Sequence, residues 1–275
     1  MPHPSDDPYQ TWISQIRTSK KYRDMDLPEE TVRDLFEQEM PRHRNPKDAL
    51  HAVREKLHNI VAPYLGNPDY QSALGDLDEA FDTGDPQMVK FVCAQLLASH
   101  ASTRERLRIL EEFYLRIFRA IGRPSSLLDL ACGLNPLAFP WMGLPASVQY
   151  YAYDIIPPRI ALIDRFFERQ GLQPLAFVQD VLVDPPAQTA DVAFLFKEAH
   201  RIEQRQKGAN RPLWQALNVR YLLVSLPTES LSGKHNLMER HRQMVAGIVE
   251  GLPWRVDELV FENEMVFVVD KGNGA

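Results

Sequence analysis

The residues best placed to do chemistry are three aspartates, Asp129, Asp154 and Asp180, each closing a short apolar run, and one glycine, Gly133, in the loop after the first. That loop reads Asp129-Leu130-Ala131-Cys132-Gly133-Leu134-Asn135-Pro136. Gly133 permits a tight turn with close approach of a ligand, and Pro136 suits the first turn of a following helix. A dinucleotide site needs several glycines so that a pyrophosphate can settle on a helix N-terminus; a single glycine points to a nucleoside cofactor without a diphosphate. Asp154 stands twenty-five residues after Asp129, where a carboxylate can accept from both ribose hydroxyls. Asp180 is followed by Val181 and Leu182, so it can accept from an adenine amino group while its neighbours flank the ring. One such aspartate is ordinarily a turn residue; three in succession beside a one-glycine loop form a set.

Other chemistries are poorly supplied. Cys93 and Cys132 are too far apart in sequence for a disulfide framework or CxxC zinc pairs, so no metal site is expected. Neither lies in a Pro-Cys motif of the kind that adds covalently to a pyrimidine. Asp184-Pro185-Pro186-Ala187 lacks the aromatic residue of an amine-methylating motif and precedes the fourth apolar run.

These groups need a scaffold. The 275 residues, 44% hydrophobic and 25% charged, suffice for one large domain and a smaller one. No apolar stretch is long enough for a membrane span, and MPHPSDDPYQ is not a secretory signal, so a cytoplasmic protein that does not engage membranes is expected. The net charge of −6 opposes nonspecific coating of nucleic acid, yet charge is distributed unevenly. Arg17, Lys20, Lys21 and Arg23 fall within seven residues, Arg42, Arg44 and Lys47 follow, and the chain from 65 to 88 holds six acids and no Lys or Arg.

The first 125 residues read as helical. Leu50, Val53, Leu57, Ile60 and Val61, and again Leu107 through Ile121, form amphipathic stripes. Ser102-Thr103-Arg104-Glu105 predicts a capping box that opens the second of these helices near residue 103. After Ser125 short apolar runs alternate with helical segments: SLLDLA, VQYYAYD, PLAFVQD, DVAFLF, VRYLLVSL, WRVDELVF and EMVFVVD. Alternation implies right-handed crossovers and a mainly parallel sheet. The last two runs are separated only by Glu262 and Asn263, which predicts an antiparallel hairpin. The expected fold is α/β, a Rossmann-like, seven-stranded sheet resembling class I S-adenosylmethionine (SAM)-dependent methyltransferases, behind an N-terminal helical domain. The boundary is expected at residue 100, giving domains 1–100 and 101–275.

Beyond the general layout, several strings resemble one family, the aminoglycoside-resistance 16S ribosomal RNA methyltransferases that modify N7 of a guanine in the decoding site. They are HASTRERL from His100, LLDLACGLNPLAFPWM from Leu127, YAYDI from Tyr151, QDVL from Gln179, FLFK ending at Lys197, EQRQKG from Glu203 and VSLPTESLSGK from Val224. The resemblance spans roughly residues 40 to 270 in one order. Two strings depart from the pattern: Lys197 is followed by Glu198-Ala199-His200-Arg201 where apolar residues and proline are usual, and Glu229 stands where a basic residue is common.

The resemblance implies SAM as cofactor and roles for individual residues. Arg106 would pair with the carboxylate of the methionine moiety, Ala131 and Gly133 pack beside it, Asp154 and Ile155 hold the ribose, and Asp180 and Val181 the adenine. Phe196 and Gln204 would line the opposite wall, and His100, Ser102 and Thr103 order the helix start over the cofactor. Guanine N7 already presents a free lone pair, so no general base is expected and catalysis is positioning. Lys197, Asn263 and Glu264 are the candidates for contact with the target base. Arg17, Lys20, Lys21, Arg23, Arg42, Arg44 and Lys47 are the expected footprint on 16S rRNA in the assembled small subunit, with the chain acting as a monomer. A SAM-dependent methyltransferase of another RNA, a small molecule or a protein, and a noncatalytic RNA-binding protein on the same fold, stay open as alternatives.

Overall fold

The computed structural model describes residues 8–61, 68–229 and 237–272. All seven apolar runs are strands: β1 (Ser126–Leu130), β2 (Gln149–Asp154), β3 (Ala176–Val178), β4 (Thr189–Phe196), β5 (Asn218–Pro227), β6 (Arg255–Val260) and β7 (Glu264–Asp270). They form one sheet in the order β3-β2-β1-β4-β5-β7-β6. Strands β1 to β5 pair in parallel, whereas β7 lies antiparallel to both β5 and β6. Only β7 is therefore reversed; β6, the other arm of the predicted hairpin, regains the common direction. The hairpin closes through the Phe261 N–H, which donates to the Glu264 carbonyl at 2.8 Å.

The sheet is covered on both faces, as continuous apolar strands require. Leu127, Tyr150, Ala152, Val192, Phe194 and Val266 face one layer, built from α4 (Tyr70–Asp82), α5 (Pro86–Ser99), α7 (Leu110–Ile121), α8 (Phe139–Met142) and α9 (Pro157–Gln170). Leu128, Leu130, Ala193, Leu195, Val224 and Phe267 face the other, built from α10 (Ala199–Arg205), α11 (Asn210–Ala216) and α12 (Met238–Val249). Strand period two sends neighbouring residues to opposite cores.

A third core is formed by α1 (Gln10–Arg17), α2 (Glu29–Glu39) and α3 (Pro46–Val61). Its centre is Phe36, fully buried and stacked at 5.7 Å on both Tyr9 and Trp12. Ile155 and Ile156, immediately after β2, belong to this same core, so the module is seated on the end of the sheet. The change of core falls between α3 and α4, ahead of residue 100, because α4 packs on α9 and α5 packs on α4 and on the turn at 135–138 after β1. The acidic run explains why: Asp78 accepts from Arg165 at 2.9 Å and Asp82 pairs with Arg169, both on α9, while Asp69 and Asp85 cap the N-termini of α4 and α5.

The capping box near residue 103 does not form. A short α6 (Ala101–Arg104) starts one residue after His100, a tight turn covers Leu107–Ile109, and the long amphipathic helix begins only at Leu110. Ser102 Oγ pairs with His100 Nδ1 at 2.8 Å, and Thr103 Oγ donates back to the Leu97 carbonyl at 2.6 Å, closing α5 instead of opening a helix. Glu105 is drawn away to Lys197, as described below.

Truncating Phe36→Ala is expected to cost about 3–5 kcal/mol, the usual range for a buried aromatic. Hydrogen exchange should place the loss in residues 8–61, with the sheet amides still protected.

Candidate cofactor and target-base site

The site lies at the carboxyl ends of the parallel strands, where the strand order turns outward from β1 to β4, the position at which open α/β sheets hold ligands. The backbone there is unusual. Ala131 and Lys197, neither a glycine, have φ of 49° and 59°, and Gly133 has 55°. The first two sit just beyond β1 and β4, and left-handed non-glycine residues persist only where their surroundings fix them. At Gly133 a Cβ would stand 3.4 Å from the His100 ring, so the loop and α6 are packed face to face.

A cleft of about 410 Å³ opens beside this loop. Ala131, Asp154, Ile155, Asp180, Val181 and Gln204, all predicted cofactor residues, line it together with Ile60 and Lys56 from α3. Asp154 is almost completely buried: its Oδ2 accepts from the Gly133 N–H at 3.0 Å and from Arg159 at 2.8 Å, and its Oδ1 accepts from the Ile156 N–H at 3.1 Å. A carboxylate has about four lone-pair positions, so one is left for a hydroxyl donor. Asp180 accepts from Arg205, from the Leu182 N–H and from Thr31 on α2.

The donor set fits a nucleoside ligand. Two carboxylates at adjacent strand ends face an apolar wall of Ile60, Ile155, Val181 and Leu182. Three buried nitrogens on cleft residues, Arg201 Nε, Arg205 Nε and His200 Nδ1, have no hydrogen-bond partner, though Arg201 Nε lies 3.3 Å from the Glu198 carboxylate; the other two are as expected of a wall that meets a polar ligand. Burial lowers the His200 pKa to about 4, with Arg201 adding to the effect, so its ring is neutral at pH 7.

The remaining predicted residues form a second, drier cluster. Arg106 is only 2% exposed; its Nη2 and Nε donate to the two oxygens of Glu264 at 2.5 and 3.1 Å, and its Nη1 donates to Asn135 at 2.8 Å. The guanidinium packs against the edge-to-face pair of Phe113 and Phe196, 4.4 and 4.6 Å from their centroids. Phe196 therefore packs on Arg106 and is absent from the cleft wall. Glu264 is fully buried, not the exposed hairpin acid that its place in the sequence suggests; both its oxygens already accept from Arg106. Burial raises a carboxylate's pKa, but Arg106 and Lys197 outweigh it and hold Glu264 below the ordinary range. Lys197 pairs with Glu105 at 2.5 Å and with Glu264 at 3.6 Å, and Asn263 donates to the Glu105 carbonyl at 2.6 Å. The three target-base candidates thus share one cluster through Glu105, a residue the sequence reading missed. His100 and Thr103 are buried beside it, and burial lowers the His100 pKa to about 4.

Asn135 and Tyr150 were also missed. Tyr114 and Arg106 both donate to Asn135 Oδ1, whose amide in turn donates to Asp129 Oδ2 at 2.9 Å, and the Tyr150 hydroxyl reaches the same oxygen at 2.6 Å. Asp129 Oδ1 is buried without a partner. Burial raises the Asp129 pKa to about 7 against these two hydrogen bonds, and burial likewise raises Glu198 to about 7 against Arg201. Asn135 lies inside the glycine loop and Arg159 follows the Pro157-Pro158 pair at the start of α9, so both stood next to recognised features. Thr31 gave no local signal.

The basic N-terminal residues divide. Arg17 donates to the Leu27 carbonyl and pairs with Asp26 and Glu29, and Arg42 pairs with Glu39 at 2.8 Å. Arg23 lies 3.5 Å from Asp24, and Lys21 meets His58 at 3.0 Å, though both are exposed. Lys20, Arg44 and Lys47 are exposed on the same module. Of the VSLPTESLSGK string, residues 230–234 lie outside the described residues.

Comparison with known proteins follows the same outline. A family model described as ribosomal RNA methyltransferase (FmrO) matches residues 18–268. The 16S rRNA (guanine(1405)-N(7))-methyltransferase of Micromonospora echinospora is 34% identical over 82% of this chain and 83% of its own. The protein of the same name from Serratia marcescens is 35% identical over 94% of this chain and 97% of its own. Among solved structures, 16S rRNA methyltransferase RmtF in complex with S-adenosyl-L-homocysteine superposes with a TM-score of 0.78 at 31% identity, over 97% of this chain and 99% of that one. An rRNA methylase from Escherichia coli gives 0.74 at 32% identity, over 96% and 99%.

Two outcomes follow from the buried charges. Glu264→Gln leaves Arg106 buried without its counter-charge and should cost about 3–5 kcal/mol in denaturant unfolding. Because Asp129 and Glu198 have raised pKa values when folded, the folded state binds more protons than the unfolded one between their ordinary values and about 7. Their contribution to stability is thus complete at the acid end and lost as pH rises through that window. Asp129→Asn combined with Glu198→Gln should flatten the stability profile measured between about pH 4 and 7.

Proposed function

The chain belongs to the ribosomal RNA methyltransferase (FmrO) family, and from that premise we propose that it acts in the cytoplasm, as a monomer, on 16S rRNA within the assembled small ribosomal subunit. It is a SAM-dependent methyltransferase that modifies N7 of a guanine in 16S rRNA, and the modification confers resistance to aminoglycosides by altering their binding site. The observation that carries the reading is the convergence of Ala131, Asp154, Asp180 and Val181 on one cleft at the ends of β1 to β3.

Bound in that cleft, SAM supplies a methyl group activated by a sulfonium. The chain's own part is placement. Asp154, paired with Arg159 and fixed by two backbone N–H groups, keeps an acceptor for a ribose hydroxyl. Val181 and Leu182 give the adenine an apolar surface. Guanine N7 has an available lone pair, so no side chain has to remove a proton, which agrees with a cluster in which Glu264 and Lys197 are committed to ion pairs. Lys197 and Asn263, tied to Glu105, are the groups proposed to meet the base once it leaves its stack, with Glu264 fixing their frame from beneath. The exposed Lys20, Lys21, Arg23, Arg44 and Lys47 are proposed to contact phosphates and set register, a role suited to a basic surface on an acidic protein.

The test is incubation with methyl-labelled SAM and, separately, small subunits, intact ribosomes and free 16S RNA. Label at a guanine N7 in small subunits is the expected result, and label on none of the three would discard the ribosomal substrate. Asp154→Ala should abolish binding of S-adenosyl-L-homocysteine with the sheet still folded by circular dichroism. Lys20→Glu with Lys21→Glu should weaken subunit binding at moderate salt and leave cofactor affinity unchanged.

A further inference from the structure

Asp180 is assigned to the adenine amino group, yet in this structure its carboxylate is already full. Oδ1 accepts from Arg205 at 3.0 Å and from the Leu182 N–H at 3.2 Å, and Oδ2 accepts from Thr31 at 2.8 Å and from Arg205 at 2.8 Å. Four contacts occupy the roughly four lone-pair positions that a carboxylate offers. An amino group can be accepted only if one donor leaves.

The donors differ in how easily they can do so. The Leu182 amide is held by the backbone. Arg205 is 9% exposed and divides its guanidinium between Asp180 and Asp34, at 2.8 and 2.7 Å, so releasing it would strand a buried charge. Thr31 contributes one neutral hydroxyl, which can rotate away about its own Cα–Cβ bond. It is also the donor that comes from the N-terminal module: Thr31 is fully buried on α2, 149 residues from Asp180 in sequence. The rest of that contact runs along the cofactor cleft. Lys56 donates to the Arg205 carbonyl at 3.1 Å, and Arg201 donates to the Asn59 carbonyl at 2.8 Å.

We propose that Thr31 is a positioning residue of the cofactor site, sharing Asp180 with the adenine amino group so that cofactor occupancy and the docking of the N-terminal module are coupled. The inference rests on the proposed assignment of Asp180 to the adenine. Linkage makes the coupling reciprocal: whatever loosens α2 on cofactor binding must alter cofactor affinity when α2 is altered. The surface proposed to meet RNA therefore senses whether an adenosyl ligand is in place, with or without its methyl group.

Calorimetry with S-adenosyl-L-homocysteine and with S-inosyl-L-homocysteine, which carries a carbonyl in place of the amino group, tests this on the intact chain. Thr31→Val removes the competing donor and should tighten binding of the adenosyl ligand by about tenfold, the usual worth of one hydrogen bond to a charged group, leaving the inosyl ligand unchanged. Thr31→Ser restores the hydroxyl and should return the wild-type ratio. Hydrogen exchange in residues 29–39 should rise when the adenosyl ligand binds the wild type and stay level in Thr31→Val. A Thr31→Val protein whose affinities for both ligands move together, or not at all, overturns the coupling. Asp180→Asn separates the two levels of the argument. If it leaves the adenosyl-to-inosyl ratio unchanged, the adenine assignment falls and the coupling with it; if it shifts the ratio while Thr31→Val does not, the assignment stands and only the coupling is lost.

Discussion

The guanidinium of Arg106 and the carboxylate of Glu264, buried against one another, are the constraint from which the rest of the site follows. Neither charge can be left in the interior alone, and the pair is tolerated because both carboxylate oxygens and the remaining N–H groups find partners. Meeting that condition brings three distant parts of the chain together: the turn after α6, the glycine loop at Asn135, and the first residue of β7. Phe113 and Phe196 close over the guanidinium and keep water out, which strengthens every contact inside. Through Asn135 the same group reaches Asp129, and through Glu264 it reaches Lys197 and so Glu105. The glycine loop and the cluster of Lys197, Glu105 and Glu264 are thus two ends of one network.

The N-terminal module is attached to this machinery on its other side. Ile155 and Ile156 follow Asp154 directly and enter the module's core, while Thr31, Asp34 and Lys56 reach back to Asp180 and to Arg205 or its carbonyl. The helix α3 therefore forms a wall of the cleft; it carries Lys47, while Lys20, Lys21, Arg23 and Arg44 sit in the turns that join the same three helices. A basic surface built in this way is mechanically continuous with the cleft, unlike one hung on a linker.

Much of the fold was legible because strand and helix leave periodic traces that depend only on local geometry. The runs ending in Asp129, Asp154 and Asp180 became β1 and β2 and the segment just beyond β3, and the short gap at Glu262 and Asn263 became the β6–β7 hairpin. The capping box was a local pattern that lost to tertiary demand: Ser102 Oγ is taken by His100 Nδ1, and Glu105 is claimed by Lys197. The change of hydrophobic core lies ahead of residue 100 for a similar reason. Helical periodicity says that α4 and α5 exist; only the pairing of α4 with Arg165 and Arg169 on α9, and the packing of α5 on α4, say which core they join.

The sequence by itself determined which residue types stand at the ends of the strands, and so the class of ligand the cleft can take, because strand ends, the glycine loop and the order of elements are encoded within a few tens of residues. Tertiary structure alone decided who partners whom. Arg159 on Asp154, Thr31 and Arg205 on Asp180, and Glu264 beneath Arg106 join residues up to 158 positions apart. It also divided the basic N-terminal residues into those tied to nearby acids, such as Arg17 and Arg42, and those left facing solvent, such as Lys20, Arg44 and Lys47. The physical reason is the same in each case: a charge's role is set by how much water it loses and by which counter-charge replaces that water, and both are properties of the folded neighbourhood.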